Sequence, residues 1–146
     1  MIAIASDHAG FEYKEQIKKL LDGRQLAYRD FGTNSKDSTD YPDFALAVAN
    51  AVSKGDCEQG ILICGTGIGM SIVANKRSGI RAAACESATA ARLAREHNDA
   101  NILTLGERLT GWEVAADIVT TFITTKYSGG ERHNRRVNKI HSLTNL

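Results

Sequence analysis

Proline is nearly missing from this 146-residue chain; Pro42 is the only one. That scarcity argues against a long proline-rich linker. Cysteine is sparse too. Cys57, Cys64 and Cys85 make an odd count with no C-x-x-C pair, which argues against a disulfide frame and against a zinc site. No apolar run approaches the roughly 20 residues of a membrane span. The opening MIAIASDHAG has no basic stretch ahead of a hydrophobic one, so it does not read as a signal peptide. An excess of charge of one sign is also lacking. The net charge of +1 gives no general electrostatic case for nucleic acid or a membrane surface. A cytoplasmic protein fits these absences.

What is present is ordinary for a globular chain: 42% hydrophobic and 24% charged residues. The length suits a single domain, residues 1–146, with a hydrophobic core of its own. Strand-length apolar runs alternate with helical patterns. Met1–Ser6 is a β-favouring run that stops at Asp7-His8-Ala9-Gly10. Tyr13, Ile17, Leu20 and Leu21 then share a helical face, and Gly23 marks the stop. Ala27–Phe31 reads as a second strand, followed by a polar loop, 32–40. Phe44, Val48 and Val52 define a second helix with Pro42 in its first turn. Gly60–Cys64 is apolar on both faces, as the centre of a parallel sheet requires. A helix over 67–76, a strand over 80–84, an alanine-rich helix over 87–96 and a strand over 102–105 follow. Val114, Ile118, Phe122 and Ile123 mark a fifth helix, and the basic segment 131–141 a last short one.

Five βα repeats predict an α/β fold: a three-layer α/β/α sandwich on a five-stranded parallel sheet, flavodoxin-like or Rossmann-like. The expected strand order is 2-1-3-4-5. In such sheets ligands bind beyond the carboxyl ends of the strands. Asp7 and His8 end the first strand, Cys64 ends the third, and Arg108 follows the fifth. His97, Asn98 and Asp99 lie just before the fifth strand, and the expectation is that all of these converge at one sheet edge.

The run Cys64-Gly65-Thr66-Gly67-Ile68-Gly69 carries the strongest signal. Alternating glycines let backbone amides turn towards an anion, and a helix N-terminus adds positive potential. A bare strand-to-helix turn competes with this reading, although three alternating glycines exceed what a turn needs. The G-x-G-x-G spacing after a third strand does not match a dinucleotide loop, and there is no Gly-Lys-Ser/Thr for a phosphate loop of ATPase type. Cys64 is either a base or nucleophile favoured by this loop or a buried inert thiol. Cys57 and Cys85 lack such a context and read as structural. His97 suits proton transfer but equally a helix-end position. Arg132 and Arg136, four apart on one helical face, match a phosphate grip or a solvated basic helix end.

The whole series resembles ribose-5-phosphate isomerase type B, a family that also includes galactose-6-phosphate isomerase subunits. Ser6–Gly10, Asp40-Tyr41-Pro42, Cys64–Gly69, Ala74-Asn75-Lys76, Gly79–Ala82, Arg95–Asn101, Gly129-Gly130, Arg132-His133 and Arg136-Val137 carry the resemblance, in order and over nearly the full chain. It implies interconversion of D-ribose 5-phosphate and D-ribulose 5-phosphate in the pentose phosphate pathway, with no metal and no cofactor. It also implies a homodimer, sometimes paired into tetramers, each site completed by the neighbouring subunit, with the segment 131–146 at the dimer interface.

By the same resemblance Cys64 is the base, and the amides of Gly65, Gly67 and Gly69 hold the enediolate. His97 and Thr66 are the candidates for opening the sugar ring. Asp7, Tyr41 and Asn98 hold sugar hydroxyls; His8, Arg108, Arg132, His133 and Arg136 hold the phosphate. Two departures stand out. Glu131 interrupts the family's Gly-Gly-Arg-His, and Met70 stands where some members carry a glutamate base. A hexose-phosphate isomerase, such as one for allose 6-phosphate, is the nearest alternative. A non-catalytic flavodoxin-like module, or a subunit active only with a second chain, are the others.

Overall fold

The computed structural model describes Met1–Leu146. Five strands, β1 (Ile2–Ser6), β2 (Tyr28–Asp30), β3 (Gln59–Cys64), β4 (Ala82–Ala84) and β5 (Ile102–Gly106), alternate with six helices. These are α1 (Phe11–Gly23), α2 (Tyr41–Ser53), α3 (Ile68–Ala74), α4 (Ala88–Asn98), α5 (Trp112–Thr124) and α6 (Glu131–Thr144). All strand pairs are parallel.

Side chains alternate across the sheet and build one core on each face. Ile2, Ile4, Ile61, Ile63, Leu103 and Leu105 face Ile17 and Leu21 of α1, Ala91 of α4 and Ile118 and Phe122 of α5. Ala3, Ala5, Leu62 and Ile102 face Val48 and Val52 of α2 and Met70 of α3. Full burial of each large aliphatic or aromatic side chain is worth about 1.5–3 kcal/mol. Lys14 of α1 is buried completely; its ammonium meets both oxygens of Asp30 at 2.8 and 2.7 Å.

The sheet order is β2-β1-β3-β5-β4, so the expected 2-1-3-4-5 is wrong in its last two places. The strand expected over 80–84 contracts to Ala82–Ala84, which is short and incompletely buried. β5 is buried throughout and takes the interior position beside β3, leaving β4 at the edge. α3 is shorter than the 67–76 pattern, and α6 is longer than expected, running to Thr144. α6 buries little besides Val137, while Ile140 and Leu143 on it are exposed. No helix is long and apolar enough to cross a membrane.

Candidate active site

At the carboxyl ends of β1 and β3 lies a cleft of about 220 Å³ lined by Asp7, His8, Ala9, Tyr41, Cys64, Gly65, Thr66, Gly69 and Arg108. Its floor follows from β3 ending at Cys64 and α3 starting four residues later. The chain reverses at Gly67, whose φ of 76° lies in the left-handed region. A Cβ there would also sit 2.8 Å from the Leu105 carbonyl carbon, so only glycine fits.

That turn aims the Gly67 amide at Sγ of Cys64, 3.1 Å away. The Ile68 amide donates to Oγ1 of Thr66 at 3.2 Å. The amides of Gly69 and Met70 meet no acceptor in the chain, as expected in the first turn of a helix. Arg108 lies over Gly65, where an added Cβ would come within 3.3 Å of Nη1. Its backbone amide donates to the Gly65 carbonyl at 3.0 Å. The Tyr41 ring covers Gly69 closely enough that a Cβ would stand 2.6 Å from Cε2.

Asp7 is buried, and its Oδ1 accepts from the amides of Ala9 and Gly10 at 2.9 and 3.1 Å. The amide of Thr39 donates to Nδ1 of His8 at 3.2 Å, while the His8 amide donates to Oγ1 of Thr39 at 3.2 Å. An acceptor at Nδ1 places the proton of the neutral ring on Nε2, where it is free to donate. The role of Thr39 escaped the sequence reading, because one threonine in a polar loop gives no periodic or motif signal.

The remaining predicted residues do not join this cleft within the chain. His97 and Asn98 end α4, which runs back towards the amino end of β5. Cys64 instead pairs with Gly106, at the opposite end of that strand. A five-residue strand separates the two levels by about 15 Å. The expectation of one convergent edge is therefore corrected. Residues that precede a parallel strand enter at its amino edge.

His97 forms a second cluster with α6: its ring stacks on His133 with centroids 4.6 Å apart and planes 8° from parallel. Arg132 and Arg136 stand exposed on the same helix. Burial, the neighbouring His97 and the two arginines hold the His133 imidazole below its usual range, so this ring resists protonation. The cluster is basic, exposed and suited to an anion.

Comparison with known proteins decides the lineage. A family model described as Ribose/Galactose Isomerase matches residues 2–140. The chain belongs to this isomerase family. It is 46% identical over 142 residues to ribose-5-phosphate isomerase B of Escherichia coli (strain K12), covering 97% of this chain and 95% of that one. Among solved structures, ribose-5-phosphate isomerase B of Clostridium thermocellum superposes with a TM-score of 0.96 at 52% identity, over 99% of this chain and 97% of that one. The Mycoplasma genitalium ribose-5-phosphate isomerase B with bound ribulose-5-phosphate gives 0.93 at 42% identity, over 99% and 95%.

Within this isomerase fold the three thiols differ in setting. Cys57 and Cys85 are buried and line no cleft. Burial raises the Cys57 thiol and pushes that of Cys85 up to about 11, which keeps both protonated and inert. Cys64 alone combines a cleft with an amide at its sulfur. Glu107 follows β5, and its amide donates to the Cys64 carbonyl at 2.9 Å. Its Oε2 accepts from the Tyr13 amide in the first turn of α1 at 3.2 Å, and burial holds its carboxyl above the usual range.

Proposed function

We propose that this chain interconverts D-ribose 5-phosphate and D-ribulose 5-phosphate through an enediolate, with Cys64 as the base, as a cytoplasmic step of pentose phosphate metabolism. The observation that carries this reading is the Cys64 sulfur in the β3–α3 cleft, facing the Gly67 amide at 3.1 Å, with Gly69, whose amide has no acceptor, lining the same cleft. The relatives named for this activity, one of them with bound ribulose-5-phosphate, support the substrate.

The thiolate takes the proton from C2 of the open-chain aldose and returns it to C1. The electron pair of the broken C–H bond moves into the C1–C2 bond, and the carbonyl oxygen O1 becomes the oxyanion. O1 then gains a proton as O2 gives one up, leaving the ketose. The hydrogen-bonded Gly67 amide stabilises the thiolate. The unpaired amide of Gly69, with those of Gly65 and Gly67, faces the developing charge; removing one such donor costs about 10²–10³ in rate. A positioned base contributes about 10²–10⁴. Asp7 and Tyr41 hold sugar hydroxyls. His8, through Nε2–H, and Arg108 hold the phosphate.

The second cluster belongs to the site of a neighbouring copy in this reading. A homodimer, with α6 at its interface, brings His97, Asn98, Arg132, His133 and Arg136 of one subunit to the Cys64 cleft of the other. His97 and Thr66 then share ring opening. Support comes from α3, beside the cleft, where Ile68 and Ile72 are 54% and 57% exposed. They stand one helical turn apart, an apolar stripe that water alone would leave uncovered.

Two measurements test the proposal. Purified protein is assayed for kcat/KM on ribose 5-phosphate and allose 6-phosphate, and its mass is measured by analytical ultracentrifugation. A pentose preference in a dimer or tetramer is expected. A preference for the hexose phosphate, or a fully active monomer, contradicts it.

A further inference from the structure

Arg81 stands just before β4, 16% exposed at its side chain, and no step of the chemistry above uses it. Its guanidinium nevertheless makes a fan of contacts across three elements. Nε donates to the carbonyls of Asn98 and Asp99 at 3.1 and 2.9 Å, capping carbonyls that α4 leaves unpaired at its end. Nη2 meets the Asp99 carboxylate at 3.2 Å. Nη1 meets Nε2 of His141, on α6, at 2.8 Å.

The His141 contact fixes a tautomer. An arginine can only donate, so Nε2 accepts and the proton sits on Nδ1, directed at the Leu146 carbonyl 3.1 Å away. Asp99 is strained into the left-handed region at φ 45°. Arg81 holds its carboxylate from one side and Arg95 from the other, the latter at 2.8 Å. The residues immediately before Asp99 are His97 and Asn98. On α6, Arg136 lies about 7.5 Å before His141 along the axis, and His133 and Arg132 about 12–14 Å before it.

We infer that Arg81 is the positioning residue of the donated half-site. It ties the end of α4, which presents His97 and Asn98, to α6, which presents the phosphate-binding arginines, as one rigid unit. Val137 is the only buried residue of α6, and its end is otherwise tied down at Leu146, whose carbonyl accepts from the Gly79 amide and the Ser78 hydroxyl, each at 3.1 Å. Of these ties only the Arg81 contact reaches the end of α4 as well. The His97–His133 stack registers the two helices at one end and the Arg81–His141 contact at the other. The inference rests on the shared-site reading, and the experiment separates the two.

Two differently tagged chains, one Cys64→Ala and one Arg81→Ala, are co-expressed and the heterodimer is purified through both tags. Each homodimer is expected to be impaired, Arg81→Ala by about 10²-fold in kcat/KM, the scale of a small misplacement of binding groups. In the heterodimer one site combines an intact Cys64 with an intact donated half. Its turnover per dimer should recover to about half that of wild type, because one of the two symmetry-related sites is whole.

A heterodimer of Cys64→Ala with Arg136→Ala is the control. If the control recovers and the Arg81 mixture does not, Arg81 acts on its own cleft or on the fold at large and the inference is overturned. If neither recovers, sites are not shared and the underlying reading fails. His141→Ala, changed at a half-exposed ring, carries the test should Arg81→Ala not fold. It is expected to raise KM severalfold with kcat held within about twofold. An unchanged KM overturns the inference.

Discussion

The Gly67 amide lies 3.1 Å from Sγ of Cys64 and donates a hydrogen bond to it. That bond exists only because Gly67 adopts φ 76°. The turn that ends β3 and the hydrogen bond to the thiol sulfur are therefore one structural feature.

Gly67→Ala is expected to break both. A left-handed alanine costs about 1–2 kcal/mol, and its Cβ would meet the Leu105 backbone at 2.8 Å. The variant should melt several degrees lower and lose about 10²-fold or more in kcat, as the thiol loses its donor. Thermal unfolding and steady-state kinetics read the two effects. A stable variant with normal turnover would show that the turn does not set the chemistry.

Asp30 should make stability depend on acid. Burial pushes its carboxyl up, but hydrogen bonds from Lys14, Lys18 and the Gly32 amide outweigh this and hold it below the usual carboxylate range. With the folded value depressed, the stabilisation is full above the unfolded value and is lost as pH falls through the folded one. Asp30→Asn strands the Lys14 ammonium inside the protein, near only Glu15 at 3.4 Å, and is expected to cost about 3 kcal/mol at neutral pH. Denaturant melts of both proteins from neutral to acid pH should converge as pH falls. Parallel curves would contradict the assignment.

His133 provides a test of the second cluster. Burial, His97, Arg132 and Arg136 all hold its ring below the usual imidazole range. As pH falls, the unfolded chain takes up this proton first, so the ring detracts from stability below that range. His97→Ala should move the His133 midpoint upward in an NMR titration. An unchanged midpoint would mean that the stacked pair seen at 4.6 Å is not formed in solution.

Much of this was legible in the chain. The βα alternation gave the α/β class, and Cys64–Gly69 marked the loop that the cleft is built on. The order of β4 and β5 was not legible, because both read as strands of similar length, over 80–84 and 102–105, and periodicity does not report which strand reaches the interior. The split of the site was half legible. His97 precedes β5 and Arg108 follows it, so parallel-strand geometry alone assigns them to opposite edges. Sequence proximity to one strand disguised that separation. The Arg81 fan had no signal, since it joins three elements far apart in the chain.

The central claim is that Cys64 moves the proton between C2 and C1, and the kcat of Cys64→Ala tests it most directly. Binding of ribose 5-phosphate is confirmed in parallel by calorimetry, and exchange of solvent deuterium into the sugar is followed by NMR. The account predicts a folded variant that binds the sugar phosphate with near-normal affinity and shows neither turnover nor exchange. Turnover within about tenfold of wild type would contradict it, being too small a loss for the removal of a general base.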